Sequence, residues 1–236
     1  MVIPAHNEAE NVGPLVREIG AALAGGGTQY EIVLVDDGST DATPERAAEL
    51  TRTIPCLRVV RHPASRGQSF AIATGVRAAV GTWIATLDGD GQNDPADIPR
   101  LLAMRGGGKG GAREDRAGPL LIAGYRRKRR DSWLKRASSR VANAVRGRLL
   151  GDRTPDTGCG LKVFERDAFL ALPHFDHMHR FLPALFLRAG GRVVSVEVGH
   201  RPRERGRSHY GMLDRLWVGI VDMLGVWWLI RRRERS

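Results

Sequence analysis

Cysteine is nearly absent from this chain: Cys56 and Cys159 stand alone among 236 residues, far apart. Two isolated thiols fit no zinc or redox spacing, so both are read as reduced, structural residues in a cytosolic setting. Aromatic residues make up only 6%, and they do not interleave with basic residues as they do on single-strand nucleic-acid binders. No apolar run reaches the ~20 residues that cross a bilayer. Met1 leads straight into strand-like Val2-Ile3, so no secretory leader is expected, and the first strand looks clipped. No internal repeat is present. Acidic residues are also in deficit, 26 Asp and Glu against 37 Lys and Arg, for a net charge of +11.

The basic excess is clustered at Arg126 to Arg130, Lys135 to Arg148, Arg201 to Arg207 and Arg231 to Arg235. Clustering of this kind implies an anionic partner: nucleic acid, an acidic membrane face or a phosphorylated substrate. Arginine heavily outnumbers lysine, so composition bias accounts for part of it. The block Arg126 to Arg130 reads equally as solvated surface and as a headgroup contact. With 42% hydrophobic residues, the chain has the length and composition for one α/β domain with a substantial core.

Taken in order, strand-like runs occur at Val2-Ile3, Tyr30 to Val35, Leu57 to Arg61 and Trp83 to Leu87. Helical periodicity falls between them, at about Asn11 to Leu23, Ala42 to Arg52 and Gly67 to Val80. This alternation argues for an open, mostly parallel sheet whose site lies along the carboxyl edge of its strands. Arg105 to Gly118 is rich in glycine and charge and reads as a loop. Further strands are expected at Leu120 to Tyr125, Leu161 to Phe164 and Val193 to Val198. Helices are expected over about Asp131 to Leu150, Arg166 to Leu172 and His179 to Ala189. The final apolar run, Leu216 to Ile230, holds Trp217, Trp227 and Trp228 between Arg215 and a tail of five charged residues. Its flanks suit a helix lying in a membrane interface; a core helix with a solvated tail is the other reading. We divide the chain into an α/β domain, 1–211, and this C-terminal helix, 212–236, read as membrane-associated.

Three polar loops converge on one sheet edge: Pro4 to Glu8, Asp36 to Asp41, and Asp88 to Pro95. In the last, Asp88 and Asp90 alternate with glycines at the end of a buried strand. Two such carboxylates repel unless a cation sits between them, and Mg²⁺ or Mn²⁺ holding a diphosphate suits hard oxygen ligands. Asp-Gly and Asn-Asp-Pro are also ordinary turn chemistry, so the stretch alone leaves both readings open. The converging loops favour the metal and a nucleotide beside it, and this carboxylate-rich crevice argues against a nucleic-acid backbone groove. His62, His174, His177 and His179 are read as structural.

The motifs VIPAHNEAEN (Val2 to Asn11), VDDGSTD (Val35 to Asp41) and DGDGQNDP (Asp88 to Pro95) resemble those of family 2 glycosyltransferases of GT-A fold. Asp156 to Gly160 and Arg203 to His209 are similar to the dolichyl-phosphate mannosyltransferase and bacterial polyprenyl-phosphate branch. The resemblance runs from Val2 to about Tyr210. It implies an α/β, Rossmann-like GT-A domain that moves mannose or a related hexose from a GDP- or UDP-linked donor to a polyprenyl phosphate, with inversion. Pro4, His6, Glu8, Val35 and Asp37 match the nucleotide positions. Asp88, Gly89 and Asp90 match the metal-diphosphate motif, with Gln92 as a further metal ligand. Arg126, Arg203 and His209 match donor contacts, although the family usually has lysine where His209 stands. Lys135 and Ser139 match an Arg/Ser pair that receives the acceptor phosphate; lysine keeps the charge but not the bidentate fork. Asp156 is an orienting group, a base or a turn cap. The implied setting is the cytoplasmic face of the membrane, held peripherally or by the C-terminal helix. The rivals are a family 2 enzyme with a saccharide or lipid A-type acceptor, and a basic nucleic-acid-binding protein.

Overall fold

The computed structural model describes residues 1–27, 29–106, 118–126, 146–202 and 212–232. Seven strands form one sheet in the order β3-β2-β1-β4-β6-β5-β7. They are β1 (Val2–Ala5), β2 (Ile32–Asp36), β3 (Leu57–Arg61), β4 (Trp83–Thr86), β5 (Leu120–Arg126), β6 (Lys162–Glu165) and β7 (Arg192–Val198). All run parallel except β6, which is antiparallel to both β4 and β5. The mostly parallel sheet expected from the sequence is thus correct with one inversion that matters for the site. Because β6 runs backward, it is its beginning, at Lys162, that lies on the edge where its neighbours end.

Alternate residues of each strand enter opposite layers, as a period of two requires. Ile3, Ile32, Leu34, Ala85, Ile122 and Val163 face one cluster, together with Val12, Leu15, Val16, Ile19 and Leu23 of α1 (Val12–Ala24). Val2, Val33, Val35, Ile84, Leu121 and Phe164 face the other, under α3 (Gln68–Ala78), α5 (Arg166–Leu170) and α6 (Leu182–Arg188). The result is a three-layer α/β/α sandwich, with α2 (Thr43–Thr51) and α4 (Ile98–Ala103) on the α1 side. Helix α4 was not anticipated. It follows a 3-10 turn, Pro95–Asp97, where Asp94 accepts a hydrogen bond from the backbone N–H of Ala96 at 3.0 Å. The end of the acidic loop is therefore a helix start capped by Asp94, with proline at the first position, which the cap and proline preferences favour.

Of the helix expected over 131–150, residues 146–150 are helical and the remainder lies outside the described residues. The C-terminal helix, α7 (Met212–Arg231), starts earlier than its apolar run suggested. It packs one face on the domain: Val226 is 1% exposed, and Met223, Leu229 and Ile230 join the α3-side core. No helix among the described residues is long and apolar enough to cross a membrane.

Candidate active site

The loops after β1, β2 and β4 meet at one rim, joined by the turn that precedes β6. After β1, His6 Nδ1 lies 2.7 Å from the Asp37 carbonyl oxygen. Asn7 adopts positive φ and accepts from the N–H of Thr40 at 2.8 Å. Glu8 accepts from Asn11 Nδ2 at 2.6 Å. Pro4 is buried in β1. Val35 is wholly buried inside the sheet, paired with Pro4 on one side and Val60 on the other; its side chain packs under α3 rather than at the rim.

Asp37 is also buried, and its carboxylate is filled from within. It accepts from His62 Nδ1 at 2.7 Å, Ser65 Oγ at 2.8 Å, and the backbone N–H groups of Arg66 and Gly67 at 2.9 and 2.8 Å. Four donors match the roughly four lone-pair sites of a carboxylate. Burial pushes Asp37 up, but these hydrogen bonds, His62 first, hold it below the ordinary carboxylate value. His62 in turn reaches Thr74 of α3 at 2.9 Å through Nε2. The resemblance matched Asp37 to the nucleotide; in the structure its oxygens accept from the 62–67 loop.

Asp88 and Asp90 stand two residues apart just past β4. Gly89 packs against β1, where a Cβ would sit 2.8 Å from the Pro4 carbonyl oxygen, so no side chain fits. Gln68 Nε2 donates to Asp88 at 2.7 Å, and the N–H of Gln92 donates to Asp90 at 3.1 Å. The Asp88 pKa is raised to about 6, by burial first and then by the neighbouring Asp90 charge. Lys162, Arg126 and Gln68 pull in the opposite direction. A pair of carboxylates strained by its own charge fits a divalent cation. Among the described residues no third His, Cys, Asp or Glu completes a cage, as suits Mg²⁺ or Mn²⁺ that takes remaining ligands from water and phosphate.

Arg126, at the end of β5, forms a two-pronged pair with Asp156: Nε at 2.6 Å and Nη2 at 3.0 Å. Burial opposes its charge, but the Asp156 hydrogen bonds outweigh that and raise its pKa. Asp156 also accepts from the N–H of Gly158 at 3.2 Å. This is the geometry of an orienting partner. Arg146 braces the same turn, donating to Thr157 Oγ1 and the Thr154 carbonyl, each at 2.6 Å. Arg201 ties the far side, contacting Asp94 at 2.8 Å and Glu18 at 2.6 Å while its N–H binds the Gln92 carbonyl. Lys135, Ser139, Arg203 and His209 lie outside the described residues.

Lys162 was missed in the sequence. It is 3% exposed and donates to the carbonyls of Thr157, at 3.2 Å, and Cys159. Burial lowers its pKa, while Cys159 and then Asp88 raise it. A lysine inside the apolar run Leu161 to Phe164 was the available signal, but the run gave no strand direction. A cavity of about 390 Å³ opens beside Asp88, lined also by Arg126, Lys162, Gln92, His179 and Arg180.

The carboxyl edge of the sheet thus carries a carboxylate pair, Asp88 and Asp90, beside basic groups and a cavity of about 390 Å³. Residues 1–172 match the glycosyl transferase family 2 model; the chain belongs to that family and is a glycosyltransferase. It is 36% identical, over its full length, to the dodecaprenyl-phosphate galacturonate synthase of Rhizobium johnstonii, covering 68% of that protein. It is 35% identical over 90% of its length to the undecaprenyl-phosphate 4-deoxy-4-formamido-L-arabinose transferase of Edwardsiella ictaluri, covering 63% of it. The chain thus spans about two thirds of the length of these relatives. Its fold matches that of glucosyl-3-phosphoglycerate synthase from Mycobacterium tuberculosis, solved with Mn²⁺, uridine diphosphate and phosphoglyceric acid. That match has a TM-score of 0.68 at 21% identity and covers 100% of this chain and 78% of the other.

Proposed function

We propose that this enzyme moves a sugar of hexose size from a GDP- or UDP-linked donor to a polyprenyl phosphate, with inversion. Asp88 and Asp90, with Gln92 as a further ligand, hold Mg²⁺ or Mn²⁺. The observation that carries the reading is the Asp88–Asp90 pair, unneutralised by any direct ion pair among the described residues, with Asp88 lining a cavity that basic groups also line. The two curated relatives are named for transfer to polyprenyl phosphates, and the mycobacterial fold neighbour was solved with Mn²⁺ and uridine diphosphate.

A bound divalent cation supplies charge neutralisation for the departing diphosphate. The chain's own residues do the rest. The Pro4 to Glu8 and 62–67 loops, braced by Asp37, hold the nucleoside. Arg126, aimed by Asp156, faces the donor phosphates. An acceptor phosphate oxygen forms its bond to the anomeric carbon as the bond from that carbon to the diphosphate oxygen breaks. The acceptor is already anionic, so no proton needs removing and Asp156 is not required as a base. Positioning and electrostatic stabilisation then carry the rate. Lys135 and Ser139 are assigned to the acceptor phosphate, and Arg203 and His209 to the donor.

The reading puts the enzyme on the cytoplasmic membrane face, held peripherally or by α7. Opposite its packed side, Val221, Leu224 and Trp228 are 52%, 51% and 53% exposed and share a stripe with Ile220. Arg231 stacks on Trp227 and Arg232 on Trp228, at 4.3 and 4.9 Å from the ring centres. An apolar stripe ending in arginines suits an anionic lipid surface. The test is release of GDP or UDP from a panel of nucleotide sugars when undecaprenyl or dolichyl phosphate and Mn²⁺ are supplied. No turnover with any polyprenyl phosphate, while saccharide or lipid A-type acceptors react, would overturn it.

A further inference from the structure

The cavity beside Asp88 lies between the sheet, at Thr86 and Lys162, and helix α3, at Gln68 and Ile72. Three of its lining residues are cationic, Arg126, Lys162 and Arg180, against the single carboxylate of Asp88. Two of the cations are already engaged. Arg126 is clamped by Asp156, and Lys162 donates to two backbone carbonyls while facing the Asp88 charge. Arg180 differs: its guanidinium has no ion pair and no hydrogen-bond acceptor among the described residues, yet it lines the cavity wall.

His179, beside it, is held by Ser69. The backbone N–H of His179 donates to Ser69 Oγ at 3.2 Å, and the same Oγ lies 2.7 Å from His179 Nδ1. Burial, with Lys162 and Arg180 nearby, holds the imidazole well below its ordinary pKa. A neutral imidazole offers one N–H donor and one acceptor nitrogen. His179 and Arg180 therefore give this wall one neutral imidazole and one planar, five-donor cation.

With the diphosphate at Asp88 and Asp90, the sugar is the group one bond away, and this cavity is adjoining space. A neutral sugar there offers the half-buried Arg180 guanidinium no counter-anion. A carboxylate matches the guanidinium fork in two parallel hydrogen bonds. We propose that Arg180, assisted by His179, binds the carboxylate of an acidic donor sugar, so that the enzyme prefers nucleotide-linked hexuronates to the matching neutral hexoses. The inference rests on the nucleotide-sugar reading above and narrows its substrate class.

Titration calorimetry with Mn²⁺ present compares UDP-glucose with UDP-glucuronate, UDP-galactose with UDP-galacturonate, and GDP-mannose with GDP-mannuronate, alongside UDP and GDP alone. In at least one pair the acid should bind about tenfold tighter or more, the discrimination a lost charged partner produces. Arg180→Gln should level that pair while UDP or GDP binds as before, and Arg180→Lys should retain part of the preference. Equal affinity for acid and neutral sugar in the wild type, or a preference that survives Arg180→Gln, overturns the assignment. A raised KM for farnesyl phosphate in Arg180→Gln without any acid preference gives Arg180 to the acceptor instead and also overturns it. In each of those cases nucleotide binding leaves the glycosyltransferase reading intact. Absence of binding by every nucleotide and nucleotide sugar overturns both.

Discussion

Gly160 lies directly against the carboxylate of Asp88: a methyl group built on its Cα would overlap the Asp88 carboxyl group. Thr86 Oγ1 donates to the Gly160 carbonyl at 2.8 Å and fixes this approach. The turn before β6 and the acidic loop after β4 are thereby in contact at the residue proposed to bind metal. Gly160→Ala should push Asp88 aside or shift the turn. Overpacking of this kind costs about 1–3 kcal/mol. Mn²⁺ affinity and turnover should fall well beyond what the loss in Tm explains. Unchanged Mn²⁺ binding in Gly160→Ala would show that Asp88 does not need this position.

Asp37 is predicted to act as a brace. Asp37→Asn loses acceptor capacity and leaves donors from the 62–67 loop unpaired, at a cost of about 1–3 kcal/mol. Denaturant unfolding measures that loss, and calorimetry with UDP and GDP should show weakened nucleotide binding in parallel. A variant of native stability with weakened nucleotide binding would instead assign Asp37 to direct contact with the base.

The seven strands, most helices and the Asp88-Gly89-Asp90 turn were legible in the sequence because apolar runs ending in clustered carboxylates have few other uses. Strand direction left no such mark. Leu161 to Phe164 reads identically forward or backward, so the arrival of Lys162 at the site edge was hidden. The bracing of Asp37 left no mark in the sequence because its donors come from residues 62–67, a contact made only by the fold. Helix α4 escaped because its start is part of the acidic motif, where a cap and a metal turn share the same residues. Val35 shows that a motif position can be a sheet-core residue whose neighbours reach the rim.

Acid should destabilise the protein through His179. Its folded pKa lies well below the ordinary 6.5, so as pH falls through 6.5 the unfolded chain takes a proton that the folded chain refuses. Stability is therefore unaffected by this group above pH 6.5 and declines below it. His179→Gln, which keeps a polar contact for Ser69, should flatten the fall in Tm between pH 6.5 and 5. An identical slope in both proteins would show that His179 titrates normally.

Membrane attachment is predicted to depend on the outer stripe of α7. Deleting the helix would also remove Val226 from the core, so substitutions on the outer face are the cleaner test. Leu224→Asp with Trp228→Asp should leave Tm within a few degrees and abolish co-sedimentation with anionic phosphatidylglycerol vesicles. Retained binding would place the contact elsewhere.

The account centres on Asp88 and Asp90 as anchors for the metal that lets the diphosphate leave. The most direct measurement is Mn²⁺-dependent transfer of radiolabelled sugar to undecaprenyl phosphate by wild type, Asp88→Ala and Asp90→Ala, with folding checked by circular dichroism. The prediction is loss of transfer by at least a hundredfold in both variants, with the fold intact. Full activity in both, or wild-type activity undiminished by EDTA, would contradict it.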